Sequence, residues 1–200
     1  MKSANEIKEG VQKGKRRSDK TATRIWTVGH STRSSQEFNE ILVANRIEAL
    51  VDVRSFPGSR QYPQFNKLEL SRSLEAIGIF YFHCPQLGGR RRPHPHSKNT
   101  AWKNASFRAY ADHVDSDEFK QGIEKLLDLA REKQTAFMCA EALWWRCHRS
   151  LIADFLKSKG YEVIHILDTK HTEVHPYTSA ARIVDAQLSY EGLAGSGKQI

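Results

Sequence analysis

Long hydrophobic runs are missing from this chain of 200 residues: no stretch approaches the roughly 18 apolar residues that a membrane span needs. Charges also stand near the N-terminus where a signal peptide would carry its apolar segment. The expectation is a cytoplasmic protein with no membrane partner. Cysteine is scarce. Three residues, Cys84, Cys139 and Cys147, form no C-x-x-C pair, which argues against a disulfide framework and leaves each thiol to be buried, reactive or metal-bound. No internal repeat is visible, so solenoid and propeller architectures are excluded.

What is present fits one domain. Hydrophobic residues make up 39% of the chain and charged residues 27%, enough for a core under a solvated surface. The net charge of +8 is unevenly placed: residues 1–24 hold eight Lys/Arg against three Asp/Glu, so the remainder carries only +3. Residues 1–22, with few apolar positions and no period, read as a disordered basic tail able to contact phosphates without sequence preference. The domain is expected over residues 23–185, and 186–200 as a C-terminal tail.

Between the tails, strand and helix alternate. Ile25–Val28 is a short apolar run, and Ser34-x-x-Glu37 is a capping box that opens a helix with Phe38, Ile41 and Leu42 on one face. Leu50–Val53 and Ile79–Phe82 read as strands around a helix from about Lys67 to Ile77. Helices are expected over Phe107–His113 and after the cap Ser116. Thr135–Met138 is a fourth strand, the helix carrying Leu151, Ile152, Phe155 and Leu156 stops at Gly160, and Glu162–Leu167 is a fifth strand. The alternation predicts a single three-layer, Rossmann-like α/β domain with a mostly parallel sheet between helices. Ligands of such sheets bind beyond the carboxyl ends of the strands, which gathers His30, Asp52, Arg54, His83, Cys139 and Glu141. The long loop from Pro85 to Asn104, with Gly88-Gly89, three consecutive arginines and two Pro-His pairs, is of a length usually tied to function.

The richest stretch is Cys139-Ala-Glu-Ala-Leu-Trp-Trp-Arg-Cys-His-Arg149. A thiol at a helix start beside arginines has its thiolate favoured, so Cys147 suits nucleophilic or redox work; Arg146, His148 and Arg149 suit a phosphate or carboxylate equally well. Packing as small apolar residues accounts for either cysteine too. A cysteine-phosphatase loop does not fit: six residues, Glu141 among them, separate Cys139 from Arg146, where that loop has five, and a carboxylate there repels a phosphoryl group. Cys139, Cys147 and His148, with His30 or His83, supply soft and borderline ligands, but their spacing is no recognised zinc signature, and no metal or cofactor is assigned. Glu141, beside apolar neighbours, is a candidate general acid or base and Asp52 its companion carboxylate. Arg54, Ser59, Arg60 and Tyr62 suit anion contact, and Trp102 in the basic loop is a candidate base-stacking platform.

These pieces, in order Thr27-Val-Gly-His-Ser-Thr32, Val51-Asp-Val-Arg-Ser55, Pro57-x-Ser-Arg60, Leu87-Gly-Gly-Arg90, Phe107-Arg-x-Tyr-Ala-Asp112 and Cys139-Ala-Glu through Cys147-His-Arg149, resemble the DUF488 family of uncharacterised proteins over roughly residues 25–185. The resemblance implies a compact α/β domain and, as motif residues, His30, Ser31, Asp52, Arg54, Ser59, Arg60, Gly88, Gly89, Cys139, Glu141, Cys147, His148 and Arg149. It implies no reaction.

The expected function is an enzyme of hydrolase or glycosylase type acting on a nucleic acid, DNA included, or on a nucleotide-like anion. Glu141, Asp52, Cys139, Cys147 and His148 are its candidate catalytic residues; His30, Ser31, Arg54, Ser59, Arg60, Arg90, Arg149 and Trp102 are its candidate ligand-binding residues. A non-catalytic nucleic-acid-binding module and a cysteine-dependent thiol or redox enzyme are the rival expectations.

Overall fold

The computed structural model describes residues 23–192; the expected basic tail and the last eight residues lie outside them. Five parallel strands, β1 (Arg24–Gly29), β2 (Ala49–Asp52), β3 (Phe80–His83), β4 (Thr135–Cys139) and β5 (Glu162–Ile166), are joined at the β5 edge by the antiparallel β6 (Thr172–Val174). The sheet order is β3-β2-β4-β1-β5-β6. The helices are α1 (Ser35–Ala44), α2 (Lys67–Glu75), α3 (Ala105–Val114), α4 (Asp117–Glu132) and α5 (Arg149–Ser158). This is the three-layer α/β architecture expected from the alternation.

Side-chain alternation along the strands explains the layers. Val28, Leu50, Ala136, Met138 and Ile166 face Phe38, Ile41, Leu42, Leu70 and Leu74 of α1 and α2. Their neighbours Ile25, Val51, Phe137, Cys139 and Val163 face the buried stripes of α3, α4 and α5. Both faces are covered, as continuous apolar strands require. Local signals hold the helix starts: Ser34 and Glu37 form the reciprocal capping box of α1, and the Ser116 side chain accepts from the Phe119 N–H at α4.

Topology then places the site. From β1 the chain crosses to β2, while from β4 it passes to β5 on the other side of β1, so connections diverge at the carboxyl ends of β1 and β4. Gly29 and Cys139 pair in register there. The approach is close: a Cβ on Gly29 would lie 1.9 Å from the Glu141 carbonyl oxygen, so only glycine fits.

The packed region runs past the expected boundary at residue 185. A hairpin of β7 (Arg182–Val184) and β8 (Gln187–Ser189) follows β6, and the buried Tyr190 donates its hydroxyl to the Asp154 carboxylate at 3.0 Å. Asp154 also accepts from the Thr178 hydroxyl and from His175, whose other ring nitrogen meets His165 at 2.8 Å. This network ties α5 and β5 to the C-terminal segment. Tyr190→Phe is expected to cost about 1–2 kcal/mol, the penalty for leaving a buried acceptor short of one donor, and to lower the thermal unfolding midpoint by roughly 2–8 °C. An unchanged midpoint would remove the C-terminal segment from the packed domain.

Candidate functional site

A cavity of about 410 Å³ opens at the carboxyl ends of the strands, within the size range of small-molecule sites. His30 from the end of β1, Arg54 and Ser55 after β2, Gly89 and Arg90 from the long loop, Tyr110 of α3, and the segment after β4 with Cys139, Glu141, Arg146, Cys147 and His148 all line it.

Its floor is a thiol–imidazole cluster. His148 lies 3.1 Å from the Val53 carbonyl oxygen through Nε2. A carbonyl only accepts, so Nε2 carries the proton, and in the neutral imidazole Nδ1 is left with a lone pair. Nδ1 faces Cys147 Sγ at 3.6 Å and Cys139 Sγ at 3.9 Å. Burial opposes ionisation of Cys147, but a hydrogen bond from the Cys139 thiol, His148 in its imidazolium form and the Arg149 charge outweigh it and hold this thiol well below its ordinary value. Cys139 is pushed the opposite way, by its hydrogen bond to Cys147 and by burial. The Tyr110 ring packs on His148 with centroids 5.0 Å apart. Cys147 was expected at the helix N-terminus; it precedes α5 in extended backbone, and His148 is the N-cap. The setting that favours its thiolate is therefore these three neighbours.

The arginines divide into two kinds. Arg149, expected to hold phosphate, is 1% exposed; it donates to Thr27 Oγ1 at 2.8 Å and to the carbonyls of Glu141 and Ala142. Its charge is spent on holding the loop after β4 against β1. Arg54 is 7% exposed. It forms a two-pronged pair with Asp52, through Nε at 2.9 Å and Nη2 at 2.6 Å, and also donates to the Phe65 carbonyl. Asp52 is fully buried and takes a further bond from the Tyr81 hydroxyl, so it anchors Arg54 and is no free acid or base. Arg60 is exposed and away from the cavity lining. Arg90 and Arg146 are the exposed cations of the cavity, and neither is in an ion pair among the described residues. Arg90 lies over the Phe56 ring, 5.5 Å from its centroid, and Phe56 is 71% exposed at the mouth.

Other expectations need correction. Glu141 is solvent-exposed, so its carboxylate is not desolvated, although it is the sole carboxylate among the lining residues. Trp102 is half-buried, stacks on Phe107 with centroids 4.7 Å apart and is not in the cavity; of the adjacent pair, Trp144 is core and Trp145 is 50% exposed. Ser31, with left-handed φ of 53°, donates its N–H to the Ala140 carbonyl and shapes the turn without lining the cavity. Ser59 lines it and caps its own loop by accepting from the Tyr62 N–H. His30 lines the cavity, stacks on Phe65, and is held down to about 4 by burial and by Arg54, so it is neutral at pH 7. His83 is engaged with the Arg54 carbonyl. Phe56 carries no local sequence signal as a site residue and Tyr110 only its place in the Phe107–Asp112 motif; the fold brings both to the cavity.

A family model for a domain of unknown function, DUF488, matches residues 34–156. The chain belongs to the DUF488 family. The matched span contains the loop after β2, the Gly88-Gly89 turn and the whole Cys139–Arg149 segment, while His30 and β1 precede it. Nothing among the curated proteins and nothing among the solved structures matches the chain. No helix among the described residues is long and apolar enough to cross a membrane.

Asp52 and Arg54 supply a test of the division between anchoring and working groups. Asp52→Asn strands a buried guanidinium and is expected to destabilise the fold by about 3–5 kcal/mol in urea unfolding, whereas Glu141→Gln leaves stability within about 0.5 kcal/mol. Equal effects of the two would erase the distinction.

Proposed function

We propose that this protein is a hydrolytic enzyme acting on a nucleotide-like anionic substrate, a nucleotide or a nucleic acid strand. The observation that carries this reading is the polarity of one cavity, which has at its mouth exposed aromatic surface and cations in no ion pair among the described residues, and a thiol–imidazole cluster at its floor. Arg90 and Arg146 offer guanidinium groups to a phosphate, whose geometry they match better than a point charge does. Phe56, beside Arg90, and Phe107 on the lining offer ring faces to a base. A substrate held by its anionic group at the mouth extends its reacting end toward Cys139, Cys147 and His148.

Hydrolysis at that end needs a proton acceptor for the attacking water and a compensating charge for the bond that breaks. His148 Nδ1 and the Glu141 carboxylate are the cavity groups suited to the first task; the partly presented Arg54 guanidinium and Arg146 serve the second. Water oxygen bonds to the electrophilic atom, the scissile bond breaks, and the proton taken from water passes to the leaving group. The absence of any apolar spanning helix among the described residues is compatible with a cytoplasmic setting for such a substrate.

Fluorescence anisotropy of a labelled single-stranded oligonucleotide, titrated with full-length protein across a salt series, tests the reading. Arg90→Ala and Arg146→Ala are each expected to weaken binding about tenfold and to flatten the salt dependence by about one phosphate contact. His148→Ala and Glu141→Gln are expected to keep binding while losing turnover of the same strand or of its nucleotides, followed by chromatography. Binding unaffected in the Arg90/Arg146 double variant would place the interface elsewhere, on the basic N-terminal residues, and would contradict the proposal.

A further inference from the structure

The floor of the cavity has a second property that hydrolysis alone does not require. Cys139 Sγ, Cys147 Sγ and His148 Nδ1 all lie within 4.8 Å of one another, and each is the donor atom through which its residue binds a metal. A tetrahedral zinc ion, with Zn–S of about 2.3 Å and Zn–N of about 2.0–2.1 Å, sets its S···N edges at roughly 3.6 Å and its S···S edge at roughly 3.8 Å; the two S···N edges here are 3.6 and 3.9 Å, and the two Sγ atoms, within 4.8 Å of each other, draw together around the ion. We propose that Cys139, Cys147 and His148 hold a zinc ion whose fourth position faces the cavity.

Three further observations support this site. Metal-ligating histidines commonly donate their second ring N–H to a carbonyl or carboxylate, which fixes ring and tautomer, and Nε2 of His148 does so to the Val53 carbonyl. The position of the ring depends on a glycine: a Cβ on Gly89 would stand 2.4 Å from Nδ1 and 2.8 Å from Cγ of His148, over the imidazole face, so a side chain there displaces the ligand ring. Finally, the cluster has three members among the described residues, and all three line the cavity. Structural zinc sites close four protein ligands around the ion, whereas three ligands with an open position mark a site that carries water or substrate. His30 and Glu141 share the cavity without joining the cluster. Cys84, whose thiol contacts the Gly122 carbonyl, lies apart.

The inference deepens the hydrolytic reading and rests on it for the use of the ion: a water on the open position is acidified toward neutrality and becomes the nucleophile. Both cysteines bind as thiolates, any thiol proton still held being released to solvent, and their two charges balance the dication. Cys147 and His148 are then ligands, the attacking oxygen comes from the bound water, and the proton-accepting task falls to Glu141, which shares the cavity.

Metal content and spectroscopy test the site without any substrate. Full-length protein, purified under reducing conditions and stripped with chelator, is titrated with Zn²⁺ against a chromophoric competitor and, separately, with Co²⁺. The expected result is about one ion per chain, with a Co²⁺ spectrum showing thiolate charge transfer and intense tetrahedral d–d bands. Cys139→Ser, Cys147→Ser and His148→Ala should each weaken zinc binding at least tenfold, Gly89→Ala should do so by displacing the His148 ring, and Cys84→Ser should not change it. Circular dichroism of each variant establishes that it is folded; should a ligand variant fail to fold, the Co²⁺ spectrum of the wild-type chain and the Gly89→Ala protein still decide. No zinc uptake, or zinc retained after loss of Cys147, overturns the proposal, as does ready closure of a Cys139–Cys147 disulfide in chain that takes no metal. Oligonucleotide binding by the Arg90 and Arg146 variants is read independently, so the metal site and the anionic-substrate reading fail separately.

Discussion

The hydrogen bond from His148 Nε2 to the Val53 carbonyl is the constraint on which the site depends. It joins the start of α5 to the segment leaving β2, two elements far apart in sequence, and it decides which imidazole nitrogen faces the thiols. Without it the ring could flip or rotate, and the cluster would lose its third member. The next residue secures the same place from the other side. The buried Arg149 guanidinium binds Thr27 on β1 and two carbonyls of the loop that begins after Cys139. Burying that charge is costly unless its donors are met, and the loop carbonyls, which no strand partner satisfies, need donors of their own. Nη1 and Nη2 answer both requirements, while Nε has no partner among the described residues, and the loop between Cys139 and Cys147 is tied to β1.

Charge in this region is sorted by depth. Arg54 and Arg149 are inside, bound to Asp52, to carbonyls and to a threonine hydroxyl, where they build the walls. Arg90 and Arg146 are outside, exposed at the mouth of the cavity. The floor between them carries two thiols and an imidazole in place of carboxylates. A ligand with a negative end and a reactive centre a few ångströms away meets both parts at once, which is the basis for reading the cavity as a site for a nucleotide-like anion.

The sheet was legible because its strands are short apolar runs bounded by turn residues, and because Ser34-x-x-Glu37 and Ser116 announce helix starts through hydrogen bonds a few residues long. The rule that ligands bind past the strand ends gathers His30, Asp52, Arg54, His83, Cys139 and Glu141, and of these His30, Arg54, Cys139 and Glu141 line one cavity. What sequence does not convey is the direction of a long side chain. Arg149 and Arg146 are three positions apart, yet one is buried and the other exposed: Arg146 closes the turn at Trp144–Arg146, while Arg149 opens α5 and reaches Thr27 and the Glu141 carbonyl. The expectation that Trp102 is a free stacking platform fails for a similar reason, because Phe107 and Tyr190, which cover Trp102, come from α3 and from a C-terminal segment that reads as a tail. The buried chain His165, His175, Asp154 and Tyr190 spans four separate segments and has no local pattern at all.

The central claim is that the cavity takes an anionic, nucleotide-like ligand with its reacting end at the Cys139, Cys147 and His148 floor. A crystal structure of the full-length protein with a bound nucleoside 5′-monophosphate tests it most directly. The account predicts the phosphate in contact with the Arg90 and Arg146 guanidinium groups and the rest of the ligand directed inward to the floor. A ligand seated away from the cavity, or one that enters it with the phosphate on neither arginine, would contradict the account.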